Sequence, residues 1–319
     1  MRDNLPVALA QPLVARLALI GIGLIGSSIA RAARRQNLAA NIVFYDASPN
    51  AAARAVSLGL GERAISAASA VAGADLVILC APVGANQAIA REIAASLKHG
   101  AILSDVGSVK ASVVAAVGPQ LPAHVHFIPA HPVAGTEQSG PDAGFAELFA
   151  RRWCIMTPPE GADLKAVEML RAFWQAMGSN VEIMTPEHHD LVLAITSHIP
   201  HLIAYNTVGA AADLESVTQS EVIKFSAGGF RDFTRIAASD PTMWRDVFLH
   251  NRDAVLEMLG RFTEDLSALQ RMIRRGDGEG LFDLFTRTRA IRLGIVAQGQ
   301  ETAAPDFGRR AAEDPEDEA

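Results

Sequence analysis

A glycine-rich turn in this sequence has the spacing typical of a site for a dinucleotide. Gly21, Gly23 and Gly26 directly follow an apolar strand predicted at Arg16–Ile20, and they open a predicted helix. In such a turn the first glycine allows the tight bend, the second lets a pyrophosphate approach the backbone, and the third lets helix and strand pack closely. The amino end of the helix then faces the anion and stabilises its charge.

An acidic residue at a suitable distance supports this interpretation. Asp46 follows a second apolar strand, 20 residues beyond Gly26, where its carboxylate can accept hydrogen bonds from a ribose diol. The carboxylate would repel a 2′-phosphate, so we predict NAD as the cofactor rather than NADP, unless the nearby Arg54 compensates. The alternative is that Asp46 only begins the turn before Pro49. The predicted cofactor-binding residues are Gly21, Gly23, Leu24, Ile25, Gly26, Asp46 and Pro82.

Two polar clusters follow predicted strands of the first half, where the active site of a parallel sheet is expected. The first, Ser104–Lys110, contains Ser108, which either contacts a substrate or caps the next helix. The second, His131–Gly140, begins with a histidine whose direction is fixed by Pro132 and the glycines of the loop. A histidine placed in this way is better explained by acid–base chemistry than by a structural role.

A third cluster lies in the second half of the chain. His198 and His201 are three residues apart and share a helix face, and Pro200 has no N–H to close the local helical hydrogen bond. A metal site with His188 or His189 is the alternative. No thiolate or carboxylate lies at a recognisable ligand spacing from these histidines, so we predict no metal.

Paired arginines form the fourth feature. Arg231 and Arg235 are one helical turn apart, and Trp244 follows nearby. Such pairs are usually solvated and ion-paired on a protein surface. Next to a nucleotide-binding domain they favour another interpretation, in which they hold a dianionic substrate.

The elements that must position these residues divide the chain into two parts, as a length of 319 residues predicts. Apolar strands alternate with helices up to about Pro186, which predicts a parallel sheet covered on both faces. After that the strand pattern ends and apolar residues recur at spacings of three and four. We therefore expect an α/β Rossmann-type nucleotide-binding domain followed by an all-α dimerisation domain. The predicted segments are a flexible leader at 1–15, the nucleotide domain at 16–185, the helical domain at 186–297 and a disordered acidic tail at 298–319.

Composition excludes some classes of function. The net charge of −7 argues against binding to nucleic acid or to an anionic membrane surface. Cys80 and Cys154 lie in apolar runs, as expected for reduced core thiols of a cytoplasmic protein. Leu191–Ala212 carries no charged residue and is long enough to cross a membrane, but it contains several polar residues. We predict that it is the buried central helix of a soluble domain.

The helical half also predicts an oligomer. An apolar stripe runs from Leu256 to Ile273 and is joined to the uncharged 191–212 helix in a domain of about 110 residues. Such a small domain cannot easily bury that much apolar surface alone, so we expect a homodimer through the helical domains.

Taken together and in this order, five motifs closely resemble the prephenate/arogenate dehydrogenase family of tyrosine biosynthesis. They are Gly21–Gly26, Asp105–Lys110, His131–Gly140, Ser197–His201 and Gly228–Ala237. The resemblance runs from about Leu17 to Val296 and implies NAD(P)-dependent oxidative decarboxylation of prephenate or arogenate by a two-domain dimer. The short segments on either side of this region lead us to expect a stand-alone dehydrogenase.

The resemblance also implies roles for individual residues. His131 and Ser108 would contact the ring hydroxyl of the substrate, and Arg235 would be the main carboxylate anchor. The residues implied to line the pocket are His201, Thr136 and Trp244. The family pattern has lysine where Arg231 stands, so no specific role follows for that cation.

If His131 accepts the hydroxyl proton, we expect kcat to fall on acidification through a pKa near that of a free histidine, about 6.5. The alternatives are a β-hydroxyacid dehydrogenase or imine reductase of similar plan, or a non-catalytic protein that senses a dinucleotide. Neither alternative requires His131, His201 and Arg235 together.

Overall fold

The computed structural model describes residues 8–136, 138–218 and 228–297 of the chain. The first seven residues of the predicted leader and the predicted tail at 298–319 lie outside the described residues. By its internal contacts the chain divides into two compact units, Met1–Met258 and Leu259–Ala319. The predicted domain boundary between residues 185 and 186 stays a prediction, since these units are divided elsewhere.

A six-stranded parallel sheet forms the framework of the first half. Its strands are β1 (Val14–Ile20), β2 (Ala39–Tyr45), β3 (Glu62–Arg63), β4 (Leu76–Leu79), β5 (Ile102–Asp105) and β6 (His126–Phe127). Their order in the sheet is β3-β2-β1-β4-β5-β6, and every neighbouring pair is parallel. The order reverses between β1 and β4, which is where doubly wound sheets bind ligands. This topology confirms the predicted Rossmann-type domain.

Helices cover both faces of this sheet, which explains why its strands are apolar at nearly every position. The helices are α1 (Leu24–Arg35), α2 (Pro49–Ser57), α3 (Ala67–Val71), α4 (Asn86–Ile93) and α5 (Ala111–Val117). Leu17 and Leu19 of β1 belong to one buried core, whereas Ala18 and Ile20 belong to the core on the opposite face. Alternate residues of the strand thus point to opposite faces, and both faces exclude water.

A second, three-stranded sheet corrects the expected position of His131. It consists of β7 (Ala130–Pro132), β8 (Trp153–Met156) and β9 (Asn180–Ile183), with helix α6 (Leu164–Ala176) between the last two. His131 was expected in a loop beyond the parallel sheet, but it lies in β7, opposite Ile155 of the antiparallel neighbour β8. Between β6 and β7, the Pro129 carbonyl accepts a hydrogen bond from the Thr157 N–H at 2.9 Å, just after β8.

Only helices follow β9 in the described part of the chain, which confirms the predicted helical half. They are α7 (Pro186–Leu193), α8 (Ile199–Thr218), α9 (Gly228–Thr234), α10 (Pro241–His250), α11 (Arg252–Arg275) and α12 (Gly278–Ala297). A π-helical turn, Ala194–His198, joins α7 to α8 directly before Pro200. Such turns form where the regular helical hydrogen bonds are interrupted, as at a proline, and they often mark functional sites.

The segment Pro186–Leu214 is long and apolar enough to cross a membrane, by length and composition only, and 28% of its most apolar window is buried. Core helices of soluble proteins pass the same test. The prediction of a buried central helix is wrong for the single chain, because Ile195 is 48% and Val208 is 41% exposed. The packing within one chain covers only part of this segment.

Candidate active site

The glycine turn after β1 has the geometry of a cradle for an anion. Gly21 has a φ of +100°, and a Cβ there would lie 2.7 Å from the Cys80 carbonyl oxygen at the end of β4. A Cβ on Gly26 would lie 2.1 Å from the Gly21 carbonyl oxygen. At Gly23, the N-cap of α1, a Cβ would meet nothing within 4 Å. Gly21 and Gly26 therefore allow close packing, while Gly23 leaves open space at the helix terminus, which fits a dinucleotide pyrophosphate.

Asp46 is oriented by the backbone around it. Its Oδ2 accepts a hydrogen bond from the Ile22 N–H at 2.8 Å, and its Oδ1 accepts one from the Ser48 N–H at 2.8 Å. Asp46 thus forms the turn before Pro49, which was the alternative to binding a ribose diol. The two roles are compatible, because a carboxylate has about four acceptor positions. Arg54 donates to Asp142 from Nε at 2.8 Å and from Nη2 at 2.5 Å. The cation that could compensate a 2′-phosphate is therefore already paired with an acid.

The other predicted cofactor residues lie close to this turn in the chain or at the end of the neighbouring strand. Leu24 and Ile25 form the first turn of α1 and are half-buried. Pro82 follows β4 and precedes a short 3-10 turn, Val83–Ala85, and its side chain is exposed. These positions border the point where the strand order reverses.

His131 is the first member of a buried chain of hydrogen bonds. Its Nδ1 lies 2.8 Å from His189 Nε2, and His189 Nδ1 lies 2.8 Å from Asp190 Oδ1. Asp190 also accepts hydrogen bonds from the N–H groups of Lys110 at 2.7 Å and Ala111 at 2.9 Å. His131 is 6% exposed, His189 is fully buried and Asp190 is 4% exposed. The histidine of the second sheet is thereby connected to α7 and to the start of α5.

Burial keeps His131 uncharged. Desolvation lowers the pKa of His131 well below 6.5, and the positive charges that His189, Lys110 and His198 can carry lower it further. The pKa of His189 is also lowered by burial, although Asp190 opposes this change. The expected pKa near that of a free histidine is therefore wrong for this structure. Both effects favour the uncharged form of the His131 imidazole.

A buried ion pair lies next to the hydrogen bonds that join His131, His189 and Asp190. The Lys110 ammonium contacts Asp105 Oδ2, and both side chains are completely buried. Lys110 Nζ also donates to the Ala130 carbonyl at 2.9 Å, and Asp105 Oδ2 accepts from the Gly107 N–H at 2.8 Å. The pair thus fixes the backbone immediately before His131.

Ser108 and His198 are neighbours in this region. Helix α5 begins at Ala111 with Lys110 at its N-cap position and no side-chain cap, so the interpretation of Ser108 as the helix cap is wrong. Burial lowers the pKa of His198 to about 4, and the backbone carbonyl of Ser108 opposes that change. His198 Nδ1 lies 3.0 Å from Asn251 Nδ2, which can only donate, so Nδ1 is the acceptor and Nε2 carries the proton.

The third polar cluster forms an aromatic stack. The His201 ring lies on Trp244 with ring centroids 3.6 Å apart and an interplanar angle of 23°. His201 Nδ1 donates to the Ser197 carbonyl at 2.8 Å, which leaves Nε2 as an acceptor. Burial lowers the pKa of His201, and the positive charge of Arg235 lowers it further. The structure thus brings His201, Trp244 and Arg235 together, as the sequence predicts.

Arg231 and Thr136 are the other predicted substrate-binding residues, and each has its own hydrogen-bond or ion-pair partner. The Arg231 side chain is 79% exposed and pairs with Asp232 at 3.4 Å, which is the solvated ion pair that the sequence also allowed. Thr136 is half-buried, and its hydroxyl accepts a hydrogen bond from the Gln138 N–H at 3.2 Å. In the described part of the chain, no group of three or more histidine, cysteine, aspartate or glutamate side chains could hold a metal.

Sequence reasoning missed the two residues behind His131. His189 was considered only as a metal ligand, and Asp190 was not considered. The available signal was the dipeptide itself, an imidazole followed by a carboxylate in the first turns of α7, where the helical half begins. A carboxylate beside an imidazole commonly fixes the tautomer of that imidazole.

Comparison with known proteins agrees with this geometry. The family described as "Prephenate dehydrogenase, nucleotide-binding domain" matches residues 29–183, and the one described as "Prephenate dehydrogenase, dimerization domain" matches residues 185–287. The cyclohexadienyl dehydrogenase of Zymomonas mobilis is 42% identical over 280 residues, covering 88% of this chain and 95% of that protein. The prephenate dehydrogenase of Bacillus subtilis is 36% identical over 293 residues, covering 91% of this chain and 78% of that protein.

A solved structure gives the same result. The crystal structure of prephenate dehydrogenase from A. aeolicus in complex with hydroxyphenyl propionate and NAD+ superimposes with a TM-score of 0.82 at 33% identity. The match covers 88% of this chain and 98% of that one. These matches extend over both halves of the chain and confirm the resemblance that its motifs carry. The chain belongs to the prephenate dehydrogenase family.

Proposed function

We propose that this chain catalyses the NAD-dependent oxidative decarboxylation of prephenate, arogenate or both, as a step of tyrosine biosynthesis. The observation that carries the proposal is His131, a buried and uncharged histidine in the chain that also holds the glycine cradle. A neutral imidazole can accept the proton of a ring hydroxyl while hydride leaves the same carbon.

The cradle of Gly21, Gly23 and Gly26 holds the pyrophosphate of the cofactor, and Asp46 accepts the ribose diol. NAD+ supplies the hydride acceptor when it is bound. The pairing of Arg54 with Asp142 supports NAD over NADP, because it engages the cation that could otherwise neutralise a 2′-phosphate beside Asp46. Leu24, Ile25 and Pro82 border the same site.

His131 accepts the proton of the C4 hydroxyl as hydride departs from C4. Ser108 helps to orient that hydroxyl. CO2 then leaves from C1, the ring becomes aromatic, and the imidazolium of His131 can return its proton to the phenolate oxygen. No net proton is gained or lost at His131 in the cycle.

Arg235 holds a substrate carboxylate, and His201 and Trp244 form the wall beside it. The positive charge of Arg235 acts on His201, which stacks on Trp244, and this proximity supports the role. Thr136 also lines the pocket. Arg231 is exposed and paired with Asp232, so we assign it no specific contact with the substrate.

The enzyme acts as a homodimer through its helical half and is cytoplasmic. Residues 185–287 match a dimerisation domain. Large apolar side chains remain exposed along α11 and α12 of the single chain; they include Leu256 (57%), Ile273 (67%), Phe282 (70%), Phe285 (56%) and Ile291 (58%). Exposed apolar surface of this extent is typical of an interface. Light scattering at micromolar concentration should give twice the mass of the chain, whereas a monomer contradicts the proposal.

Turnover of the two candidate substrates tests the proposed activity. Purified protein is mixed with NAD+ and either prephenate or arogenate, and both NADH absorbance and released CO2 are recorded. We expect one CO2 for each NADH with at least one of the substrates, and much slower reduction of NADP+. Absence of NADH with both substrates contradicts the proposal and favours the non-catalytic alternative.

A further inference from the structure

The hydrogen bonds behind His131 leave one consistent arrangement of protons. The Asp190 carboxylate can only accept, and it receives the N–H groups of Lys110 and Ala111. The bond of 2.8 Å between Asp190 Oδ1 and His189 Nδ1 therefore requires a proton on His189 Nδ1.

The same reasoning shows which ring nitrogen of His131 carries the proton. A neutral His189 with its proton on Nδ1 has an unprotonated Nε2, which can only accept. The bond of 2.8 Å between His189 Nε2 and His131 Nδ1 therefore requires a proton on His131 Nδ1. In a neutral His131 the remaining nitrogen, Nε2, then carries a lone pair.

We propose that His189 and Asp190 are positioning residues that select the His131 tautomer with the proton on Nδ1 and the basic lone pair on Nε2. The proposal rests on the proposed function, because only a base that takes the substrate proton needs this selection. The opposite tautomer would present an N–H to the hydroxyl and could not accept its proton.

The hydrogen bonds that join His131, His189 and Asp190 also determine what happens when His131 becomes charged. As Nε2 takes the proton, the Nδ1–H remains donated to His189, and no bond in the chain has to break. The negative charge of Asp190 stabilises the imidazolium through His189, as the carboxylate of a serine protease triad stabilises its histidine. The groups whose positive charge opposes the charge on His131 are His189, Lys110 and His198, whereas Asp190 and Asp105 raise the pKa of His189.

A purely structural role for His189 makes different predictions, and the chain offers a matched control. His188 precedes His189 on α7 but is exposed. His189→Leu removes the acceptor for His131 Nδ1, whereas His189→Gln keeps an amide oxygen that can accept that proton. Asp190 is not varied, because it also binds two backbone N–H groups at the start of α5.

Steady-state kinetics of the three variants give the first test. We expect His189→Leu to lower kcat by about 10²-fold with KM within about twofold of the wild type, the scale of lost acid–base catalysis. His189→Gln should recover kcat to within about tenfold of the wild type, and His188→Leu should match the wild type. Thermal unfolding and NAD+ titration show whether each variant is folded.

The second test reads the tautomer directly and does not depend on activity. The protein is labelled with 15N-histidine, and the signals of His131 are assigned by their loss in His131→Asn. We expect a protonated Nδ1 and an unprotonated Nε2 in the wild type, and a mixture of tautomers in His189→Leu. The wild-type spectrum, assigned with His131→Asn, decides the tautomer even if His189→Leu does not fold.

Two results overturn the proposal: a wild-type His131 with its proton on Nε2, or a folded His189→Leu variant with the kcat of the wild type. A different result distinguishes failure of the tautomer assignment from failure of the proposed function. If the wild type shows the expected tautomer but reduces no NAD+ with prephenate or arogenate, the proposed function fails and the tautomer assignment stands.

Discussion

Replacing Lys110 with methionine should destabilise the protein strongly, because it leaves a carboxylate buried without its cation. Both side chains of the Lys110–Asp105 pair are completely buried, so no discount for solvent screening applies. In addition, Asp105 Oδ1 has no hydrogen-bond partner within the described residues, and the ammonium is the main source of compensation. Removing one partner of such a pair typically costs about 3–5 kcal/mol. Methionine fills a similar volume, so the cavity contribution is small.

The assay is urea unfolding of the wild type, Lys110→Met, Asp105→Asn and the double variant at one protein concentration. Asparagine keeps an oxygen for the Gly107 N–H but carries no charge, so the double variant should recover about 2–3 kcal/mol of the expected loss as coupling energy. Lys98→Met is the control, since its pair with Asp75 is partly exposed and should contribute at most about 1 kcal/mol. Equal losses for Lys110→Met and Lys98→Met, or additive losses in the double variant, would refute the reasoning.

Other predictions concern the cofactor site and the buried histidines. Gly26→Ala should destabilise the protein by about 1–3 kcal/mol in thermal unfolding, because its Cβ would lie 2.1 Å from a carbonyl oxygen. Gly23→Ala should fold like the wild type but lose NAD+ affinity by about tenfold or more in titration calorimetry, and an unchanged affinity would argue against the cradle. Asp46→Ala should weaken NAD+ binding and relatively favour NADP+, so a wild type that prefers NADP+ would contradict the role of Asp46. The pKa of His198 falls from 6.5 to about 4 on folding, so the unfolded chain binds the extra proton first and stability decreases as the pH drops from 6.5 to 4. This histidine alone should contribute about 3 kcal/mol to that decrease, and His198→Gln should flatten the dependence of unfolding free energy on pH.

The nucleotide half could be predicted from the sequence because its signals are local. The turn from Gly21 to Gly26 and the acid at Asp46 need only their own strand, turn and helix to be recognised. The parallel sheet follows from the alternation of strands and helices, except for its two-residue edge strand β3, which was not predicted. The second sheet was not predicted as separate, since nothing in the three residues of β7 distinguishes them from an extension of β6.

The site could be predicted only in part, because its central contacts join distant segments. The His131–His189 hydrogen bond connects residues 58 positions apart, and no periodicity in the sequence records it. Lys110 belonged to a motif that looked polar, yet tertiary packing buries it completely against Asp105. The pKa of His131 was misjudged for the same reason, because the sequence alone shows neither desolvation nor the cations nearby.

The central claim is that His131 is the neutral base of the reaction while Arg235 binds a carboxylate that is present before and during the chemistry. The most direct measurement is kcat and KM as a function of pH for the wild type, His131→Asn and Arg235→Gln. We predict that His131→Asn lowers kcat by about 10²-fold or more with little change in KM, whereas Arg235→Gln mainly raises KM. The wild-type kcat should fall only at a pH well below 6.5, as the lowered pKa of His131 requires, and the Asn variant should lack this acid limb. A His131→Asn variant with nearly normal kcat and the same pH profile would contradict the claim, and His201 would then be the base to test.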